Sequence, residues 1–305
     1  MTTPPSIDSL NEAFAIPGVA AFEAGPGGLL RAALTPPTAE AQVYLHGAQV
    51  AHHQPAGEPP LLFLSSRSRF AAGAAIRGGV PVVFPWFGAR VGHPEAPDHG
   101  FARISDWTVE SVEQPDAGSV AITLALEPTD ATQRLWPQDF RLRERVVIGP
   151  RLAITLEVEN RARAPVTVEL ALHTYLRVGD VRDASIGGLE GVTYIDKVDG
   201  MRRKVLPAGP FRLGGSTDRV FVDTRSPVSV IDPRLARRTV VDKQGSATTI
   251  VWNPWSEKAA AMADLGAGEW RSMLCVEAAN ALDNALALGP GERHSMAVAI
   301  HAERG

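Results

Sequence analysis

Short runs of apolar and β-branched residues recur along the chain, separated by glycine, proline, asparagine and aspartate. Clear examples are residues 42–45, 61–64, 120–126 and 248–252. The clearest hairpin joins residues 141–148 to residues 152–158 through a turn at Gly149 and Pro150. Many alternating strands with closely spaced turn signals predict an all-β fold, a large antiparallel sandwich or barrel.

Helical periodicity is scarce, and only residues 11–14 and 129–136 predict short turns of helix. Strands and helices do not alternate along the chain, which argues against a doubly wound α/β fold. Stretches rich in proline and glycine predict loops between strands; these are residues 55–60, 91–98 and 207–216. The prediction is one β domain over residues 1–305, in which residues 1–24 form an N-terminal extension or an edge segment.

Composition and charge narrow the functional classes. The 305 residues are 45% hydrophobic, which is enough for a sizeable core. A formal net charge of −4 gives no basic field over the whole chain, so nucleic acid is not an expected partner. The single cysteine, Cys275, excludes an intrachain disulfide and suits a reducing compartment. No apolar run is long enough to span a bilayer, so we expect a cytoplasmic protein without a membrane partner.

Two ionisable side chains lie in the middle of apolar, strand-like runs. His173 lies in residues 169–176 and Glu277 in residues 272–280. Burying a charged group costs free energy unless it is paired, but enzymes accept that cost to hold an acid and a base near neutral pKa. Because alternate residues of a strand share a face, each of the two can point into a pocket while its neighbours enter the core. A satisfied core histidine is the common alternative for His173, whereas Glu277 is harder to explain by packing.

Residues 76–88 carry a second group of candidates. Gly78 and Gly79 allow a backbone or a ligand to approach closely, and the planar fork of Arg77 suits a phosphate or a carboxylate. Trp86 is one of three aromatic residues in this segment that could offer a ring face to a sugar. The simpler alternative is a tight turn with a surface arginine and core aromatic residues.

Two further segments carry polar candidates. In residues 98–103, His99 could bond a hydroxyl or a ring oxygen and Arg103 could reach an anion, although a solvent-facing loop explains the segment equally well. Asp218 is followed by Arg219, and the two form either part of a binding site or a local turn pair.

Motifs for cofactors are missing from the sequence. The adjacent His52 and His53 point to opposite faces of a strand and cannot chelate a metal as a pair. The chain has no glycine-rich nucleotide loop, no Cys-x-x-Cys and no His-Glu-x-x-His. We therefore expect neither a cofactor nor a metal.

Seven segments, taken in order, resemble the glucose-6-phosphate 1-epimerase (hexose-6-phosphate mutarotase) family of the aldose 1-epimerase superfamily. They are residues 76–88, 98–103, 170–180, 187–196, 217–221, 251–258 and 273–280. The resemblance implies a large β-sandwich of the galactose-mutarotase type with a few short helices. It also implies interconversion of the α and β anomers of a hexose 6-phosphate, glucose 6-phosphate above all, without a cofactor.

The resemblance also implies roles for single residues. The glutamate matched by Glu277 is the general base of that family, and the histidine matched by His173 is the general acid. The histidine matched by His99 assists at the ring oxygen. Arg77 and Arg103 match positions associated with the phosphate.

Asp218 matches a position that binds a sugar hydroxyl. Trp86 joins the expected substrate contacts as an aromatic platform.

Two other functions compete with this one. An aldose 1-epimerase would act on an unphosphorylated sugar, and the pair Arg77 and Arg103 argues for the phosphate instead. A non-catalytic carbohydrate-binding sandwich would use tryptophans as stacking platforms and would need no buried acid–base pair. The expected partner is a small-molecule sugar phosphate, and the protein is expected to be a monomer.

Overall fold

Antiparallel β-strands build most of the molecule. The computed structural model describes residues 5–304, so residues 1–4 of the predicted N-terminal segment lie outside it. The helices are α1 (Ile7–Phe14), α2 (Asp130–Leu135) and α3 (Trp255–Ala260). In chain order the strands are β1 (Ala20–Ala24), β2 (Leu30–Leu34), β3 (Ala39–Tyr44), β4 (Val50–Pro55), β5 (Val82–Val83), β6 (Thr108–Asp116), β7 (Ser119–Leu126), β8 (Phe140–Ile148), β9 (Leu152–Asn160), β10 (Val166–Val168), β11 (Leu170–Leu172), β12 (Tyr175–Arg177), β13 (Ser185–Gly187), β14 (Thr193–Asp196), β15 (Arg202–Val205), β16 (Thr217–Val222), β17 (Val228–Asp232), β18 (Arg237–Gln244), β19 (Thr248–Asn253), β20 (Met273–Asn280), β21 (Leu286–Leu288) and β22 (Arg293–Arg304).

Two eight-stranded antiparallel sheets form the sandwich that the sequence predicts. The first sheet has the order β15-β14-β16-β19-β20-β11-β5, and β12 also pairs with β20. The second has the order β13-β17-β18-β22-β9-β8-β7-β6. A four-stranded sheet, β1 to β4, and the pair β10-β21 complete the fold. One hydrophobic core cluster includes residues from both large sheets, such as Leu172 of the first and Leu142 of the second.

The hairpin predicted over residues 141–158 is confirmed as β8 and β9. Its register runs without a slip from the pair Phe140 and Asn160 to the pair Ile148 and Leu152. Burial alternates along both strands, as expected when one face packs on the core and the other meets solvent.

Each of the two predicted helices is present and capped. Thr129 accepts a hydrogen bond from the Thr132 N–H at the start of α2, and Ser6 caps α1 in the same way. The first helix begins at Ile7, four residues before the predicted turn. The third helix, α3, was not predicted; it follows Pro254 and, unlike α2, has no side-chain cap at its start. Among residues 5–304, no helix combines the length and apolar character that a membrane crossing requires.

The N-terminal segment is attached to the four-stranded sheet as an edge. The Asn11 side chain donates to the Phe22 carbonyl at 2.8 Å and accepts from the Phe22 N–H at 2.7 Å, which ties α1 to β1. Strand β1 pairs only with β2 in this sheet. The assignment of residues 1–305 to a single domain stays a prediction.

One buried carboxyl group of the described residues, Glu144, lies within the core on β8. Glu144 lies on the inward face of β8 and is 0% exposed. Neither of its carboxylate oxygens has a hydrogen-bond partner. Burial alone raises the pKa of Glu144 well above its ordinary value. The side chain is therefore neutral in the folded protein, and it weakens the fold wherever the unfolded chain would ionise.

We predict that Glu144→Gln becomes more stabilising, relative to the parent, as the pH rises. Above about pH 4.3 the unfolded parent releases a proton that the folded parent keeps. The free energy of unfolding of the parent then falls by about 1.4 kcal/mol per pH unit from this group, until the folded pKa is reached. Urea unfolding of both proteins at pH 4 and pH 7 measures the difference. A stability difference that is the same at both pH values would contradict the prediction.

Candidate active site

The register of the first sheet places His173 opposite Glu277. Strand β11 pairs with β20 up to the partners Leu172 and Ala278, and β12 resumes the pairing at Tyr175 and Cys275 with no slip. The sequence predicts one continuous strand here, but it is interrupted at residues 173–174. There the His173 N–H donates to the Pro81 carbonyl instead of to β20. The two ionisable residues are thus cross-strand neighbours on one face of the sheet.

These two side chains meet at the floor of a cavity. His173 Nε2 lies 3.4 Å from Glu277 Oε1, and the side chains are only 8% and 1% exposed. His173 Nδ1 and Glu277 Oε2 have no hydrogen-bond partner. Burial raises the pKa of Glu277 well above its ordinary range, and the nearby Asp218 carboxylate raises it further. Burial lowers the pKa of His173, and the positive charges of Arg103 and Arg77 act in the same direction.

Aromatic rings hold the imidazole of His173 in place. The Tyr175 ring stacks on it, with centroids 4.8 Å apart and planes 12° apart. This stacking confirms that residues 173 and 175 share a face, as strand alternation predicts. The rings of Trp252 and His99 meet the same imidazole edge to face, at 5.9 Å and 5.6 Å.

Arg77 lines the cavity, and some of its N–H groups already donate hydrogen bonds within the protein. Its Nε and Nη2 donate to one Asp264 oxygen at 3.1 Å and 2.9 Å, and its Nη1 donates to the Tyr175 hydroxyl at 2.9 Å. The guanidinium therefore fixes the ring that stacks on His173. Its free N–H groups remain available to a ligand, because a guanidinium has five donors.

Arg103 and His99 also line the cavity. Arg103 Nη2 donates to the Asp98 carbonyl at 2.7 Å, while its Nε is buried without a partner. His99 has a left-handed backbone with φ of 63°, and its Nδ1 accepts from the Gly88 N–H at 3.3 Å. Burial and the charge of Arg103 lower the pKa of His99, so its imidazole is neutral near pH 7.

Asp218 reaches the cavity from β16. Its Oδ2 lies 3.3 Å from Lys197 Nζ, and Lys197 also lies over the Phe87 ring at 4.9 Å. Burial raises the pKa of Asp218 despite this ion pair. The pairing contradicts the idea that Asp218 and Arg219 form a local turn pair, since Arg219 instead lies over the Tyr194 ring.

The cavity brings together six of the seven predicted site residues. It measures about 390 Å³, within the usual range for small-molecule pockets. Its lining comprises Arg77, Phe87, Gly88, Ala89, Asp98, His99, Arg103, His173, Lys197, Asp218, Ile250, Trp252, Lys258, Met262 and Glu277. A somewhat smaller groove, lined by residues such as Pro36 and Gln54, lies away from these groups and holds no comparable cluster.

Trp86 is the predicted contact that the structure does not bring into the cavity. Its indole is 8% exposed, donates to the Pro97 carbonyl at 2.9 Å and packs edge to face on Phe101. The next residue, Phe87, lines the cavity instead. Trp86 and Phe87 lie in an irregular loop, so sequence alone did not fix which aromatic ring faces the pocket.

Sequence reasoning also missed two cations of the lining, Lys197 and Lys258. Lys197 follows β14 directly, and Lys258 lies on α3, with its Nζ 5.9 Å from the centre of the Trp252 ring. The only available signal was their position inside or next to two of the seven segments that resemble the family.

A metal ion is not favoured at the floor of the cavity. His173, Cys275 and Glu277 place one ligand atom each within 4.8 Å of one another, a spacing that a metal could use. The guanidinium groups of Arg77 and Arg103 act on these same residues and lower the pKa of His173. That positive potential opposes a divalent cation.

The fold and the cavity define a mutarotase-like β-sandwich protein. The chain belongs to the aldose 1-epimerase family, because the sequence model of that family matches residues 32–301. A relative from Cenchrus ciliaris is 34% identical over 270 residues, which cover 86% of this chain and 81% of the relative. A relative from Escherichia coli K12 is 36% identical, over 80% of this chain and 81% of the relative. Both relatives are provisionally named glucose-6-phosphate 1-epimerase.

Solved structures agree with this assignment. The crystal structure of a provisionally assigned mutarotase from Salmonella typhimurium matches with a TM-score of 0.88 and 29% identity, covering 96% of each chain. A galactose mutarotase related enzyme from Lactobacillus acidophilus matches with a TM-score of 0.70 over 90% of this chain and 97% of its own. At 15% identity, the second match supports the fold alone.

We predict that Asp218→Asn lowers the pKa of Glu277. Removing the Asp218 charge ends its repulsion of the Glu277 carboxylate, and Lys197, freed from its partner, acts in the same direction. Carboxyl-carbon NMR titration of glutamate-labelled protein measures the shift, with Glu277→Gln identifying the signal. Asp283→Asn is the control, because Asp283 pairs with Arg203 outside the cavity. An unchanged or raised pKa in the Asp218 variant would contradict the electrostatic account.

Proposed function

We propose that this protein interconverts the α and β anomers of a hexose 6-phosphate, with glucose 6-phosphate as the expected substrate. The observation that carries the proposal is the buried pair of His173 and Glu277, 3.4 Å apart at the floor of a cavity rich in cations. Membership of the aldose 1-epimerase family and the names of the two relatives support it.

The spacing of the pair suits the reaction. The anomeric hydroxyl and the ring oxygen of a pyranose are bonded to the same carbon, so an acid and a base that serve both must lie close together. Glu277 removes the proton of the anomeric hydroxyl while His173 protonates the ring oxygen, and the C1–O5 bond breaks. The open-chain aldehyde rotates about C1–C2, and the reverse steps close the ring as the other anomer.

The pair carries one proton near neutral pH, as this chemistry requires. Burial raises the pKa of Glu277 and lowers that of His173, so the resting pair consists of a carboxylic acid and a neutral imidazole. A bound sugar donates its anomeric hydroxyl to Glu277 and accepts from His173 at the ring oxygen. Those hydrogen bonds favour the carboxylate and the imidazolium, and thereby place the proton where the first step uses it.

The charge of the cavity favours an anionic substrate. Arg77, Arg103 and two lysines line it, and the first two lower the pKa of His173 and of His99. A phosphate dianion would offset this positive potential, and guanidinium groups suit phosphate geometry. The neutral His99 can donate to the ring oxygen or to a sugar hydroxyl, and Asp218 can accept from one.

The remaining expectations belong to the same proposal. We propose a single domain over residues 1–305 and a monomer, with no nucleic acid or membrane partner. We also propose a cytoplasmic location, because a phosphate dianion does not cross a lipid bilayer unaided.

We predict that Glu277→Gln lowers the rate of anomer exchange by roughly 100- to 10,000-fold, because it removes the base but keeps the shape of the side chain. NMR exchange spectroscopy on equilibrated glucose 6-phosphate measures the rate directly. Glu144→Gln is the matched control, since it makes the same substitution at another buried carboxyl group outside the cavity and should retain parental exchange. A Glu277 variant as fast as the parent would remove this residue from the mechanism.

We also predict that kcat/KM is higher for glucose 6-phosphate than for glucose, and that only the phosphorylated sugar loses efficiency steeply with added salt. The physical reason is the attraction between the dianion and the cationic lining. Polarimetry on freshly dissolved α-anomers at low and at moderate ionic strength makes the comparison. Equal efficiency on both sugars would favour an aldose 1-epimerase for unphosphorylated sugar, and no exchange above buffer with either would favour a non-catalytic binding module.

A further inference from the structure

We propose that Lys258, at the mouth of the cavity, contacts the substrate phosphate together with Arg103 and sets the preference for a phosphorylated sugar. The inference deepens the proposed function and rests on it. None of the sequence motifs assigns Lys258 a role, and its place in the molecule follows from α3, a helix that the sequence did not predict.

Ion pairing separates the four cations of the lining into two groups. Arg77 is paired with Asp264 at 2.9 Å, and Lys197 is paired with Asp218 at 3.3 Å. Arg103 and Lys258 have no carboxylate within 4.0 Å among residues 5–304. Neither charge is therefore held in a direct ion pair, and two positive charges match a phosphate dianion.

Arg103 has an N–H group that is free to donate to a phosphate. One of its amino groups is held by the Asp98 carbonyl, while its buried Nε has no partner. An unpartnered buried donor costs free energy until a ligand satisfies it. Lys258 is exposed and adds a mobile ammonium, which serves phosphate as a point charge.

Lys258 and His173 both adjoin the ring of Trp252 in the cavity. Its Nζ lies over Trp252, whose ring also meets the His173 imidazole edge to face. A pyranose that lies along Trp252 with C1 at His173 extends its C6 substituent away from the floor, toward the mouth where Lys258 lies. In this pose the reacting carbon lies at His173 and the phosphate lies near Lys258, with Arg103 lining the same cavity.

The backbone that carries Lys258 is held in a strained but firmly bonded conformation. Trp255, the first residue of α3, has φ of 58°, which an L-residue with a bulky side chain rarely adopts. The buried Asn253 side chain accepts from the Trp255 N–H at 2.8 Å and donates to the carbonyls of Trp270 and Met273. Strain of this kind persists where the surroundings impose it, and it clusters at ligand-binding sites.

The decisive experiment measures KM and kcat of the whole protein for glucose 6-phosphate in the parent, Lys258→Met and Lys258→Arg. We expect Lys258→Met to raise KM about tenfold, equivalent to about 1.4 kcal/mol, with kcat little changed. Lys258→Arg should restore most of the affinity, because it restores the charge. Glu257→Gln is the matched control, since it changes the charge of the same helix outside the cavity and should leave KM unchanged.

Binding of inorganic phosphate, measured by calorimetry, keeps the inference separate from the proposed function. The parent should bind phosphate, and Lys258→Met should bind it about tenfold more weakly. If the parent exchanges no anomers, the proposed function fails while this comparison still decides the role of Lys258. An unchanged KM and unchanged phosphate binding in Lys258→Met would overturn the inference. An equal loss of efficiency on glucose and glucose 6-phosphate would overturn it too, because it would show an effect on the sugar end or on the fold.

Discussion

The pairing register between β20 and its two short neighbours, β11 and β12, is the constraint on which the site depends. It sets His173 directly across from Glu277 and turns both toward the cavity, while Leu172 and Val276 enter the core. A slip by one residue would exchange the two faces and bury the acid–base pair in the sandwich. The core packing that fixes the register therefore also assembles the site, and at the gap over residues 173–174 the His173 N–H bonds to the Pro81 carbonyl instead of to β20.

Burial and the surrounding charges together set the protonation of His173 and Glu277. Desolvation drives both groups toward their neutral forms, and the surrounding cations strengthen that tendency for His173 but weaken it for Glu277. Near neutrality the pair then shares one proton, which a bound sugar can relocate through its own hydroxyl and ring oxygen. The same cations attract a phosphate, so one arrangement of charge serves both substrate binding and proton transfer.

The sequence predicted the sandwich, the main hairpin and the two central residues, because these depend on local signals. Alternation and turn residues mark strands, and Glu277 is conspicuous as a charge within an apolar run. The prediction that Trp86 contacts the substrate is not matched by its place outside the cavity. Trp86 lies in an irregular loop, where no periodicity shows which side chains face the cavity. Lys258 was missed because no rule of spacing brings α3 to the cavity. Tertiary contacts hold α3 in place, among them the hydrogen bonds of Asn253 and the packing of Trp255 on Trp270.

The most direct test of the account is a crystal structure of the protein with glucose 6-phosphate bound. The account predicts that the anomeric hydroxyl lies within hydrogen-bond distance of the Glu277 carboxylate and the ring oxygen within that distance of the His173 imidazole. The phosphate should lie at the other end of the cavity. A sugar bound with C1 away from this pair, or bound outside the cavity altogether, would contradict the central claim.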